Sequence, residues 1–115
     1  MTGAMTTALV TLLSLVIAAA LESGGDAAIR RGLIQGTRLW LVLGAVVLVI
    51  YGFVVNLNRA VDFSTLMGVY IAMFFVVSQI IAVVFFGERA APMTLLGGAF
   101  IVVGGLIVQY GATSR

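Results

Sequence analysis

Long apolar runs broken by short polar interruptions set the rhythm of the 115-residue chain. From Met1 to Leu21 there is no charged side chain at all, and three further apolar runs follow. A bilayer core about 30 Å thick takes roughly 20 apolar residues in a helix. The runs predict helices over residues 6–29, 39–57, 63–86 and 93–110. Arg30 and Arg31 close the first helix, and Gly32–Thr37 reads as a polar, glycine-containing loop. Arg38 and Trp40 form an interfacial pair at the entry to the second helix. Asn56, Asn58, Arg59 and Asp62 mark the second loop; Gly87, Glu88 and Arg89 make a tight turn, and Pro92 suits the first turn of the last helix.

These positions predict an all-α membrane protein: one transmembrane domain over residues 1–115, consecutive helices being antiparallel neighbours because the loops are short. The first run lacks a basic leader and meets Glu22 in place of a cleavage site, so it is expected to be a retained helix. There is no convincing internal repeat.

Composition narrows the class further. With 63% hydrophobic and 9% charged residues and a mean hydropathy of +1.26, a soluble domain of this size could not hide its apolar surface. Cysteine and histidine are absent, which removes disulfides, thiol chemistry and histidine metal sites. Six arginines and no lysine produce the basic balance. They stand singly or as one pair at loop positions, a topology signal and not a nucleic-acid surface. Arg30, Arg31, Arg38 and Arg89 fall on one side, Arg59 and Arg115 on the other. The bias favours loops 1 and 3 in the cytoplasm and both termini outside, by a margin small enough to leave dual insertion open. No metal cluster, nucleophile–base pair or phosphate loop is visible, so an enzyme is not expected and no cofactor is implied.

Glu22 is the leading candidate for chemistry. A carboxylate at membrane depth costs roughly 2.5 kcal/mol or more if it stays charged, and packing does not require it. A proton or cation site is the functional reading. Asp26 and Arg30 follow at four-residue steps on the same face. The competing reading makes the three a solvated ladder at the helix end, with Asp26 neutralising Arg30. Gly24 and Gly25 between the acids either permit close approach of a ligand or a partner helix, simple helix–helix packing included, or weaken the helix locally.

Helix 4 carries Gly97, Gly104 and Gly111 at seven-residue spacing, a smooth stripe suited either to packing within the chain or to contact with another subunit. Among the aromatics, Trp40, Tyr51, Tyr70, Phe74 and Phe75 are candidates to line a pocket or simply to pack. Ser78 and Gln79, the clearly polar residues deep in helix 3, are expected to bond between helices.

Taken together the pattern resembles the small multidrug resistance family of the drug/metabolite transporter superfamily. The resemblance rests on four helices, the deep Glu22, Thr37-Arg38-Leu39-Trp40 entering helix 2, Phe85-Phe86-Gly87-Glu88-Arg89 closing helix 3, and the Gly97/Gly104 stripe. Glu22-Ser23-Gly24-Gly25, Tyr51-Gly52-Phe53 and Val69-Tyr70-x-Ala72 look closer to its YnfA-like branch. The resemblance implies a proton-coupled exporter of small cationic compounds in a bacterial inner membrane, working as an antiparallel dimer. Glu22 would bind substrate and protons in turn, Tyr70 would lie beside the substrate, and Gly97 and Gly104 would form the dimer contact. The chain departs from the family pattern at Met73, Phe74 and Phe75, where small residues are usual, and in the additional acid Asp26. A chain held in one orientation would need an oppositely inserted paralogue as its partner. The other readings are a non-transporting structural or accessory subunit of a larger membrane complex, and a lipid-linked carrier flippase.

Overall fold

The computed structural model describes residues 2–59 and 61–113, with side chains described for residues 3, 6, 9–59 and 61–111. Arg115, one of the arginines in the topology count, lies outside the described residues. Every element among the described residues is helical: α1 (Thr2–Gln35), α2 (Arg38–Val55), α3 (Phe63–Phe86) and α4 (Pro92–Thr113). All four contain a stretch long and apolar enough to cross a bilayer: Leu9–Gln35, Arg38–Val55, Phe63–Phe86 and Pro92–Gly111. Large apolar side chains such as Leu39, Phe53, Ile80 and Phe100 point outward. That outward apolar surface suits lipid and would be a liability in water. The protein is a multi-pass membrane protein. It divides into two compact units, residues 1–58 and 59–115.

The first unit is an antiparallel hairpin of α1 and α2. Here the structure corrects the sequence reading: α1 does not end near residue 29 but runs on to Gln35 through the expected loop. Arg30, Arg31 and Gly32 are therefore helical residues. The helix stops at Gly36, whose φ of +67° is the left-handed conformation that costs other residues roughly 1–2 kcal/mol. One residue on, the Thr37 N–H donates to the Gly32 carbonyl at 3.0 Å, closing a helix-ending turn and leaving a very short connection. Gly32 is buried because α2 passes over it; a methyl there would meet the Leu41 side chain at 2.8 Å.

Further along the hairpin Gly25 faces Gly44 and Leu48, and Gly44 faces Ile29. Ala18, Gly25 and Gly32, spaced by seven, are all buried. Small side chains in this row let the two backbones approach, which in lipid is the main source of helix association. At the far end, the Ser14 Oγ lies 2.8 Å from the Thr11 carbonyl and 3.1 Å from Asn58 Oδ1, so its single proton serves both acceptors. At the turn end, the Arg31 guanidinium sits 5.6 Å above the Trp40 ring centroid. Trp40 therefore pairs with Arg31, not with its near neighbour Arg38.

The second unit is an antiparallel hairpin of α3 and α4. Asp62 holds its N-cap position in extended conformation; its side chain makes no capping bond to the backbone but accepts from the hydroxyls of Thr65 at 3.1 Å and Ser64 at 3.4 Å. Its negative charge at a helix N-terminus is also favourable. The sequence reading placed α3 at residues 63–86, and the structure agrees. Gly87, with φ of +63°, ends it, and the Glu88 N–H reaches back 3.1 Å to the Ala82 carbonyl. Pro92 opens α4, as its fixed φ and missing N–H favour. Along the interface Gly98 packs under Phe75, Gly105 against Ala72 and Gly68 against Val108.

Candidate functional site

The longer α1 changes where its acids stand. Glu22 lies inside α1, 20 residues after its start at Thr2 and 13 before its end at Gln35 (22 − 2 = 20, 35 − 22 = 13), the latter about 20 Å along the axis. Asp26 lies 9 residues inside the same end (35 − 26 = 9), and Arg30 also falls within the span. The alternative of a solvated ladder assumed a helix ending at residue 29. With the helix continuing to Gln35, Glu22 has more than three helical turns of α1 on its C-terminal side, where a helix ending at residue 29 leaves about two.

Side-chain surroundings separate the two acids. Glu22 is half-buried and Asp26 is exposed. Between them the helix is continuous, so the paired glycines do not break it. Gly25 is the close-approach residue against Gly44 and Leu48, whereas a methyl on Gly24 would meet nothing within 4 Å. Ser23 was not singled out from the sequence. It is buried, and its Oγ has no hydrogen-bond partner among the described residues. A hydroxyl next to Glu22 in the chain adds a group able to donate or accept. Nothing in the residue pattern marks it, because an unsatisfied side chain is a property of packing.

Glu22 and Asp26 share one helix of the first unit. Tyr70 belongs to the second, where it is 3% exposed and its ring centroid lies 6.2 Å from that of Phe74, tilted by 39°. Other aromatics proposed as pocket-lining have structural partners: Trp40 carries Arg31, and Phe75 covers Gly98. Ser78 does not bridge helices as expected; its Oγ donates 2.8 Å to the Phe75 carbonyl of its own helix. That local bond satisfies the hydroxyl without a neighbour.

The glycines of α4 fall into two rows one residue apart. Gly98 and Gly105 face α3 and are buried. Gly97, Gly104 and Gly111 face elsewhere, since a methyl on any of them meets nothing within 4 Å. One residue turns a helix by about 100°, so the second row is left out of the α3–α4 interface. Comparison with protein-family models, with curated proteins and with solved structures found no match.

Proposed function

We propose that the chain is a proton-coupled efflux transporter of small cationic compounds, working as a dimer in a bacterial inner membrane. The observation that carries this reading is a carboxylate, Glu22, inside the apolar helix α1 and more than three turns from its C-terminal end. In hydrocarbon surroundings a carboxylate is stabilised either by taking a proton or by meeting a cation. The two states exclude each other at one site. That exclusion is what an antiporter needs, because a proton bound on one side must be released for substrate to bind on the other.

A dimer follows from the same residue. One four-helix chain has little interior in which to enclose a ligand, and two copies bring together two Glu22 carboxyls that would titrate as a coupled pair. The row Gly97, Gly104 and Gly111, open within the second unit, offers a smooth surface for the second copy. The motif resemblance to the small multidrug resistance family supports the reading. The bulk at Phe75, a departure from that family, is matched by Gly98 beneath it, so the departure has a packing counterpart in α4.

The test is proton release from detergent-solubilised protein titrated with tetraphenylphosphonium at weakly buffered pH. Wild type is expected to release protons saturably, and Glu22→Gln to release none while retaining its helical content. A wild type that releases none, or a Glu22→Gln variant that behaves like it, overturns the proposal.

A further inference from the structure

The turn end of the α1–α2 hairpin collects positive charge that the proposed transport does not use. Arg30, Arg31 and Arg38 lie within nine residues of one another, and no acid occurs between Asp26 and Asp62. The extension of α1 places Arg30 and Arg31 on its last turns, while Arg38 opens α2 across the two-residue connection. All three guanidinium groups thus belong to one corner of one unit. Arg30 and Arg38 are exposed and Arg31 is half-buried.

Arg31 is held in a particular way. Its guanidinium carbon lies over the Trp40 ring, 5.6 Å from the centroid, within cation–π range. A guanidinium meets the paired oxygens of a phosphate through its N–H edge. Thr37 makes no side-chain cap to the first turn of α2, so the local dipole at that helix end adds to the positive field.

The surroundings indicate what kind of anion fits. Leu33, Ile34 and Leu39 border the arginines and are 71%, 69% and 75% exposed. A soluble anion or a nucleic acid has no use for apolar surface beside its phosphate. A phospholipid has both parts, an anionic headgroup and hydrocarbon next to it. Trp40 also has the amphipathic ring found at headgroup depth.

We infer that this corner binds the phosphate of an anionic phospholipid, with Arg31, over the Trp40 ring, as the central contact and Arg30 and Arg38 flanking it. Basic groups at a membrane surface each attract anionic lipid by about fivefold. The proposal is independent of the transport reading and stands on unit 1 alone.

Trp40 is the single tryptophan of the chain, so it reports on its own neighbourhood. The experiment compares quenching of its emission by brominated phosphatidylglycerol and brominated phosphatidylcholine at equal mole fraction in vesicles carrying the full chain. The expected result is a preference for phosphatidylglycerol of about fivefold or more, weakening with added sodium chloride. In Arg30→Gln/Arg31→Gln/Arg38→Gln the preference is expected to fall to near unity, with both lipids still quenching and circular dichroism unchanged. Equal quenching by the two lipids in the wild type overturns the inference and needs no variant. A preference that survives in a folded triple variant also overturns it. Loss of the preference with millimolar inorganic phosphate, but not with chloride of equal ionic strength, assigns the site to a soluble phosphate and overturns the lipid assignment.

Discussion

Gly44 of α2 lies so close to Gly25 of α1 that a methyl group on Gly44 would stand 2.7 Å from the Gly25 carbonyl oxygen. The same methyl would stand 3.0 Å from the Ile29 nitrogen. Both are backbone atoms and cannot rotate aside. Gly44→Ala is therefore expected to force the helices apart and to destabilise the hairpin by about 1–3 kcal/mol. At Gly52, also in α2, a methyl meets nothing within 4 Å. Gly52→Ala is expected to be neutral or stabilising by up to about 1 kcal/mol, since alanine is the better helix former. Denaturation midpoints in sodium dodecyl sulfate separate the two variants, and equal midpoints would show that the close approach carries no energy.

The turn glycines act through the backbone alone. A methyl on Gly36 or Gly87 meets no atom within 4 Å, yet both have positive φ. Gly36→Ala and Gly87→Ala are each expected to cost roughly 1–2 kcal/mol. Asparagine tolerates the left-handed region better, so Gly36→Asn should recover part of that loss. Thermal unfolding of the three variants in detergent checks the order.

Ser14 and Asn58 join the open end of the first hairpin through a 3.1 Å hydrogen bond. Interhelical bonds of this kind in membranes contribute about 0.6 kcal/mol. A double-mutant cycle with Ser14→Ala and Asn58→Ala should return a coupling of that size. The Ser14 hydroxyl retains the Thr11 carbonyl in the Asn58 variant, which keeps the coupling small.

Adjacent glycines of α4 are expected to give opposite outcomes. A Gly105→Val side chain would meet the Ala72 Cβ, already 2.5 Å from where a first carbon would stand. It should lower the stability of the second hairpin by at least about 1 kcal/mol. Gly104→Val has open space within the unit and should leave that stability nearly unchanged. Under the proposed dimer it should instead abolish energy transfer between differently labelled copies. Retained transfer in Gly104→Val would remove this row from any subunit contact.

The two acids of α1 are expected to separate in transport. Under the proposed function Glu22→Gln should reduce proton-gradient-driven uptake in proteoliposomes to background, because of the two acids in α1 it stands deeper from the helix's C-terminal end. Asp26, exposed and nearer the end of the span, should give a reduced but measurable rate as Asp26→Asn. An inactive Asp26→Asn with an active Glu22→Gln would reverse the assignment.

Length and hydropathy alone determined that this is a four-helix membrane protein, because a bilayer demands about 20 apolar residues per crossing whatever the neighbours do. The limits of α3 were legible to the residue, with a capping Asp62 on one side and a turn-forming Gly87 on the other. The position of Glu22 directly after a charge-free run was legible too, since it is a property of the residue order alone. The end of α1 was not. Arg30, Arg31 and Gly32 read as a loop by composition, but the positive φ falls on Gly36, and Leu41 packs over Gly32 to keep it in the helix.

Tertiary structure also decided which of two equivalent glycine rows is used within the chain. Gly97/Gly104 and Gly98/Gly105 have the same spacing, and only the rotation of α4 against Phe75 and Ala72 distinguishes them. In the same way Trp40 could have met Arg38, its neighbour in sequence, and met Arg31 across the turn. Spacing along one helix specifies which residues share a face; which face meets a neighbour depends on the partner helix, and that is a property of the packed pair.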